Sequence, residues 1–166
     1  MKTFLTIILI LILGFLIPEK LVIPVKGATK KSWDKNDFWN CTWCKGNKIH
    51  YGIDIKGILH TPIISSSTGI IVFNGTLAEG GNVIIILGLK WRLHYYAHLN
   101  LRYVSLFQFV NKGETIGNIG MTGKTTGPHL HYNIVSVIPI FWNFKEGRLG
   151  WLRMFFLDPT VELLGE

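Results

Sequence analysis

The stretch "NKGETIGNIGMTGKTTGPHLHYNI", residues 111–134, sets two β-type runs on either side of a glycine-rich loop. Its second run holds two of the chain's six histidines, His129 and His131, directly after a Gly-Pro pair. Alternate residues of an extended strand point to the same face, so these two imidazoles project together while Leu130 turns the other way. Outward from this stretch the pattern repeats. "IHYGIDI", "PIISSSTGIIVF", "NVIIILGL" and "RLHYYAHL" are short, rich in β-branched and aromatic residues, and separated by glycines. Beyond residue 28 no segment keeps an apolar rhythm of three and four over three turns, so helices do not organise the chain. An all-β sandwich or partly closed barrel follows.

Composition sets the outer bounds. The 166 residues suffice for one domain and a short appendage, and 48% hydrophobic against 16% charged residues excludes a disordered chain. A net charge of +7 is spread along the sequence rather than clustered. It suits acidic partners such as nucleic acid, anionic lipid or an acidic wall polymer, and selects none of them.

Residues 1–27 read as a signal peptide or membrane anchor. A lysine at position 2 precedes an apolar run over 4–17, closed by Pro18, Glu19 and Lys20. That run is nearer the length of a signal core than the roughly 20 residues needed to span a bilayer. The protein is therefore expected to be exported, either released or left tethered. Residues 28–47 are polar, basic and dotted with tryptophan, a linker that becomes an ordered lead-in, and 48–166 form the domain proper. Cys41 and Cys44 in "CTWC" have no further cysteines to build a four-sulfur metal site. In an oxidising compartment they are expected to form a local disulfide.

The histidines and one aspartate form the chemical pattern. In "HYGID", His50, Gly52 and Asp54 share a face if the backbone is extended, and Gly52 leaves room between the two polar side chains. "YYAHL" places His98 at a strand end, with Tyr96 two residues before it on the same predicted face. Two histidines and an aspartate make an ordinary three-ligand set for catalytic zinc with one position left open. Residual positive charge at such a site lowers the pKa of coordinated water toward about 7. There is no H-E-x-x-H, so the helix-borne glutamate of many zinc proteases is missing. Two histidines of the set remain for proton transfer and transition-state stabilisation.

"HYGIDI", "YYAHL", "GNIGMTGKTTGPHLHY" and a closing "DPT" resemble the lysostaphin-type (LytM-domain) zinc endopeptidases, in that family's order. Its pattern is H-x-x-x-D, then Y-A-H-L, then G-x-x-G-x-T-G-x-x-x-G-x-H-L-H. The resemblance implies an antiparallel β-sandwich of the barrel-sandwich-hybrid kind (a duplicated hybrid motif). It implies one Zn²⁺ per chain held by His50, Asp54 and His131, with His98 and His129 as unligated catalytic groups. It implies hydrolysis of peptide bonds in bacterial peptidoglycan, in the periplasm, cell envelope or extracellular space, with a peptidoglycan peptide rather than nucleic acid as partner. A non-enzymatic wall-binding regulator on the same fold is the alternative; such members lose metal ligands, and here all five positions are filled. Tyr96 and His94, on the predicted His98 face, are candidate substrate contacts. The "MTGKTTGP" loop is expected to form one wall of a groove, with Lys124 solvent-facing. The segment 136–157 is longer and more aromatic than the family pattern, and its aromatics are expected to form the core of an extra hairpin or, otherwise, an exposed patch for glycan stacking or membrane contact.

Overall fold

The computed structural model describes residues 4, 6, 9, 14, 16–40, 49–146 and 149–165. Among the described residues nine strands form one antiparallel sheet: β1 (Ile53–Lys56), β2 (Pro62–Ile64), β3 (Gly69–Leu77), β4 (Gly81–Gly88), β5 (Arg92–Arg102), β6 (Phe109–Val110), β7 (Thr115–Ile119), β8 (His129–Ser136) and β9 (Phe156–Leu157). Their main order is β1-β8-β5-β4-β3-β6. The β2–β7 pair joins through β7 to the end of β5, and β9 adds to β8. Ile63 of β2 and Ile116 and Ile119 of β7 share one buried cluster with Ile55, Ile71, Ile84, Ile86, Leu130 and Ile134. The all-β, antiparallel expectation holds.

Period-two alternation works as expected on β8. Leu130, Tyr132 and Ile134 are fully buried on the core side, whereas His129, His131 and Asn133 line a cleft on the other. Near the C-terminus, "DPT" starts helix α1 (Pro159–Leu164). The Asp158 side chain accepts the Thr160 N–H at 2.8 Å, and Pro159 occupies the first turn, where its missing N–H costs nothing.

The folded body takes in parts of both segments placed ahead of residue 48. Leu21, Val25 and Trp33 are buried in the main core. Val25 bridges to Ile63, and Ile64 N–H donates to the Pro24 carbonyl at 2.9 Å. Further on, the lead-in runs beside β1, with Lys56 N–H donating to Ser32 at 2.9 Å and Trp39 N–H donating to His50 at 2.7 Å. It thereby covers the edge that β1 would otherwise expose. The anticipated Cys41–Cys44 disulfide lies outside the described residues.

The aromatic segment departs from expectation. Instead of a hairpin core, the described residues of this segment include two 3-10 turns, Phe141–Asn143 and Gly150–Met154, and among them the two residues of β9 pair with β8. Phe141, Trp142, Phe144 and Trp151 are exposed. "FWNF" and "WLRMFF" lack the apolar–polar alternation needed to bury one face of a strand.

His94 is fully buried on the core side. Its Nδ1 lies 2.8 Å from Tyr132 Oη and 3.3 Å from Ser66 Oγ, and Ser66 also meets Tyr96. Burial, with help from the Arg92 charge, pushes His94 down to about 3 from its ordinary 6.5. A depressed folded-state pKa leaves stability intact above pH 6.5 and erodes it as pH falls from 6.5 toward 3. At about 1.4 kcal/mol per unit, His94 should remove roughly 2 kcal/mol by pH 5. Urea unfolding of wild type and His94→Gln across pH 7.5 to 4.5 measures this. The variant should show an acid slope shallower by about one proton, and equal slopes would refute the assignment.

Candidate active site

Strand register assembles the site. Asp54 on β1 pairs directly with His131 on β8, and His131 pairs with Ala97 on β5. Facing residues of such pairs have Cβ atoms about 5 Å apart, which brings one carboxylate and one imidazole together. His50 precedes β1 and swings in beside them. His131 Nδ1 lies 2.9 Å from Asp54 Oδ1 and 2.9 Å from His50 Nε2, and His50 Nε2 lies 3.2 Å from Asp54 Oδ1. A tetrahedral ion with bonds of about 2.0–2.1 Å would set its donors about 3.3 Å apart. Three unlike donors already held near that spacing fit such an ion. Gly52 has a different role from the one anticipated: a Cβ there would come 2.4 Å from the Tyr132 carbonyl, so its absence lets β8 approach.

His98 reaches the site by a bulge. Between the Asn82–Leu99 and Ile84–Tyr96 pairs, β5 carries one residue more than β4. His98 absorbs it with a left-handed φ of 64°. The extra residue flips the alternation. Tyr95 and Ala97 face the cleft and His98 joins them, whereas Tyr96 and His94 point into the core. Both fully buried side chains are therefore removed from the cleft, contrary to the expectation that they border it. Tyr95, which alternation from His98 had excluded, packs edge-on against His131 with ring centroids 6.0 Å apart.

Backbone carbonyls set the tautomers of His98 and His129. A carbonyl only accepts, so His98 Nδ1–H donates to Thr122 O at 2.8 Å and His129 Nδ1–H donates to Gly127 O at 2.9 Å. In each neutral ring the Nε2 lone pair is then left on the cleft side. His129 Nε2 lies 3.6 Å from Asp54 Oδ1, and the His98 and His129 ring centroids are 4.9 Å apart. The Thr122 carbonyl is itself placed by a tight contact between loops. Gly81 and Gly123 both take positive φ, and a Cβ on either would run within 2.5 Å of the other loop's backbone. Thr122 Oγ1 meanwhile accepts Asn82 N–H and donates to Leu99 O.

Electrostatics favour a cation at the convergence of donors. Burial alone would push His50 down, but the Asp37 and Asp54 carboxylates outweigh it and push it up to about 10. Burial would raise Asp54, but hydrogen bonds from His131 and His50 hold it far below the usual carboxylate range. His131 and His98 are shifted below 6.5, chiefly by burial, which keeps them neutral near pH 7. The cleft measures about 990 Å³. Its wall includes Lys124, Thr125, Thr126, Gly127 and Pro128, as expected for the "MTGKTTGP" loop, with Lys124 exposed. Asp37, on the opposite side, had no signal in the sequence: it sits in a polar, aperiodic lead-in.

Residues 48–139 match the family model of Peptidase family M23. The chain belongs to peptidase family M23. It is 38% identical over 91 residues to a DD-carboxypeptidase/endopeptidase of Neisseria meningitidis, covering 55% of this chain and 20% of that protein. To a peptidoglycan DD-endopeptidase of Vibrio cholerae it is 35% identical over 88 residues, covering 53% and 20%. It thus spans about a fifth of the length of these M23 relatives. The catalytic domain of lysostaphin from Staphylococcus simulans superposes with a TM-score of 0.58 at 29% identity, over 70% of this chain and 80% of that one.

Proposed function

We propose that this M23 chain is a zinc-dependent endopeptidase that hydrolyses peptide bonds in bacterial peptidoglycan. The observation that carries the proposal is the convergence of His50 Nε2, Asp54 Oδ1 and His131 Nδ1, all within 4.8 Å of one another, with two further imidazoles alongside. Zinc, when bound by these three, supplies Lewis acidity toward a scissile carbonyl and toward water.

Hydrolysis moves one proton from water to the departing amine. His98 and His129 suit that task, since each has Nδ1–H tied to a carbonyl and an Nε2 lone pair in the cleft. One ring accepts the proton and returns it to the amine nitrogen. The other, when protonated, donates to the carbonyl oxygen as negative charge builds there. The net positive charge favours approach to an acidic wall polymer. The M23 relatives whose names specify peptidoglycan endopeptidases support the choice of substrate.

We place the protein in the cell envelope or outside the cell, with the N-terminal apolar run as signal or tether. Among the described residues no helix is long and apolar enough to cross a membrane.

Digestion of purified peptidoglycans that differ in bridge chemistry, followed by mass analysis of the fragments, tests the proposal. Chelation should reduce cleavage to background, and one equivalent of zinc should restore it. Undiminished cleavage by metal-free protein would reject the zinc reading, and intact glycopeptides after incubation with loaded protein would reject the substrate.

A further inference from the structure

We propose that Asp37 is a positioning residue that braces two of the three metal donors at once. The inference rests on the reading of His50, Asp54 and His131 as the metal site. One Asp37 carboxylate oxygen, Oδ1, lies 3.2 Å from His50 Nδ1, and the other, Oδ2, accepts the Asp54 backbone N–H at 3.0 Å. The Asp37 backbone carbonyl also stands 3.2 Å from His50 Nδ1. Carboxylate and carbonyl are both acceptors there, so Nδ1 carries a proton and Nε2 is the nitrogen turned toward Asp54 and His131.

His50 has particular need of such a brace. Asp54 and His131 sit in paired strands, whose ladders hold their backbones. His50 lies ahead of β1, outside the described β1–β8 ladder. Asp37 links it to the first of those ladders through Asp54. The link is anchored on both sides. Upstream, Trp33 is buried and donates its indole N–H to Thr160 Oγ1 at 2.9 Å; downstream, Trp39 N–H bonds the His50 carbonyl. Between them Asp37 N–H donates to the Asp34 carbonyl at 3.1 Å, and the Asp37 side chain is only 13% exposed. A carboxylate on the far nitrogen of a ligating imidazole fixes ring orientation, and losing one typically weakens metal binding 10–100-fold.

The test uses the full chain with zinc as the probe. Zinc affinity is measured by competition against a chromophoric chelator for wild type, Asp37→Ala and Asp37→Asn. Thermal unfolding of the metal-free proteins is followed alongside. The zinc-loaded proteins are compared by NMR for an exchange-protected His50 Nδ1 proton. Asp37→Ala should bind zinc 10–100-fold more weakly and lose that proton signal, with little change in metal-free melting temperature. Asp37→Asn keeps one acceptor oxygen for two donors and should fall between; it also serves if the alanine variant folds poorly. Variants that bind zinc like wild type and retain the protected proton would overturn the inference while leaving the metal site standing. So would an affinity loss that merely tracks lost metal-free stability. A wild-type chain that binds no zinc would instead sink the metal site itself and the inference with it.

Discussion

His131→Ala should lose zinc and hydrolysis together, with kcat/KM down at least about a thousandfold and metal content near background. In the proposed site the imidazole supplies one of three donors, and it lies 2.9 Å from each of the other two, Asp54 Oδ1 and His50 Nε2. Without it a two-donor remnant faces open solvent in the cleft, and several kcal/mol of Lewis-acid stabilisation disappear with the ion. The fold should survive. The His131 side chain lies on the cleft face of β8, opposite Leu130 and Tyr132, so its removal leaves the core packing intact. Elemental analysis, peptidoglycan turnover and thermal unfolding on the same preparation check all three parts. A variant that retains one zinc and a tenth or more of wild-type activity would show that His131 is no ligand.

His129→Ala, two residues away on the same face, should behave differently. It should retain one zinc and a wild-type melting curve yet turn over about a hundred to ten thousand times more slowly, the usual range for a positioned acid–base group. The contrast follows from geometry. His129 approaches the donor cluster only at 3.6 Å from Asp54, and its Nδ1–H is committed to the Gly127 carbonyl, which fits a proton carrier better than a ligand. His98→Ala should show a comparable loss. The double variant should cost less than the product of the two, because neither ring completes the proton transfer alone. Normal hydrolysis by His129→Ala would refute its role, and loss of zinc from that variant would make it a ligand after all.

The two substitutions differ because adjacent alternate positions of one strand are given different neighbours by the strands beside them. The sequence could show that His129 and His131 share a face, since that follows from backbone geometry at neighbouring residues. It could not show by spacing which of them meets Asp54; the antiparallel register of β1 against β8 does that, pairing Asp54 with His131 and Lys56 with His129. The resemblance to lysostaphin-type enzymes implies a division of roles between the two, from a motif rather than from geometry.

Where expectation failed, the failing assumption was local regularity. Tyr96 and His94 were placed beside His98 by counting in twos along β5. A single extra residue at His98 breaks that count, and nothing in "YYAHL" marks it. At the bulge β5 exchanges its pairing with β8, which ends at Ala97, for pairing with β7 at Leu99, while Leu99 still pairs with Asn82 of β4. Likewise Phe141, Trp142 and Trp151 carry the composition of a core but find no opposing layer, and their exposure is a result of where β9 rejoins β8.

Asp37 shows the same division over a longer distance. Its sequence neighbours are polar and aperiodic, and its importance arises from the burial of Trp33 and Trp39's bond to His50, which lay the lead-in along β1. What the sequence determined by itself was the set of short strands, the inward isoleucines and leucines, and the chemical kinds of the five site groups. Those depend on steric and hydrophobic preferences of residues and their immediate neighbours. The tertiary structure alone decided which strand lies beside which, where the alternation is interrupted, and which carboxylate reaches the back of His50. Those depend on contacts between segments remote in the chain, whose energies no local pattern contains.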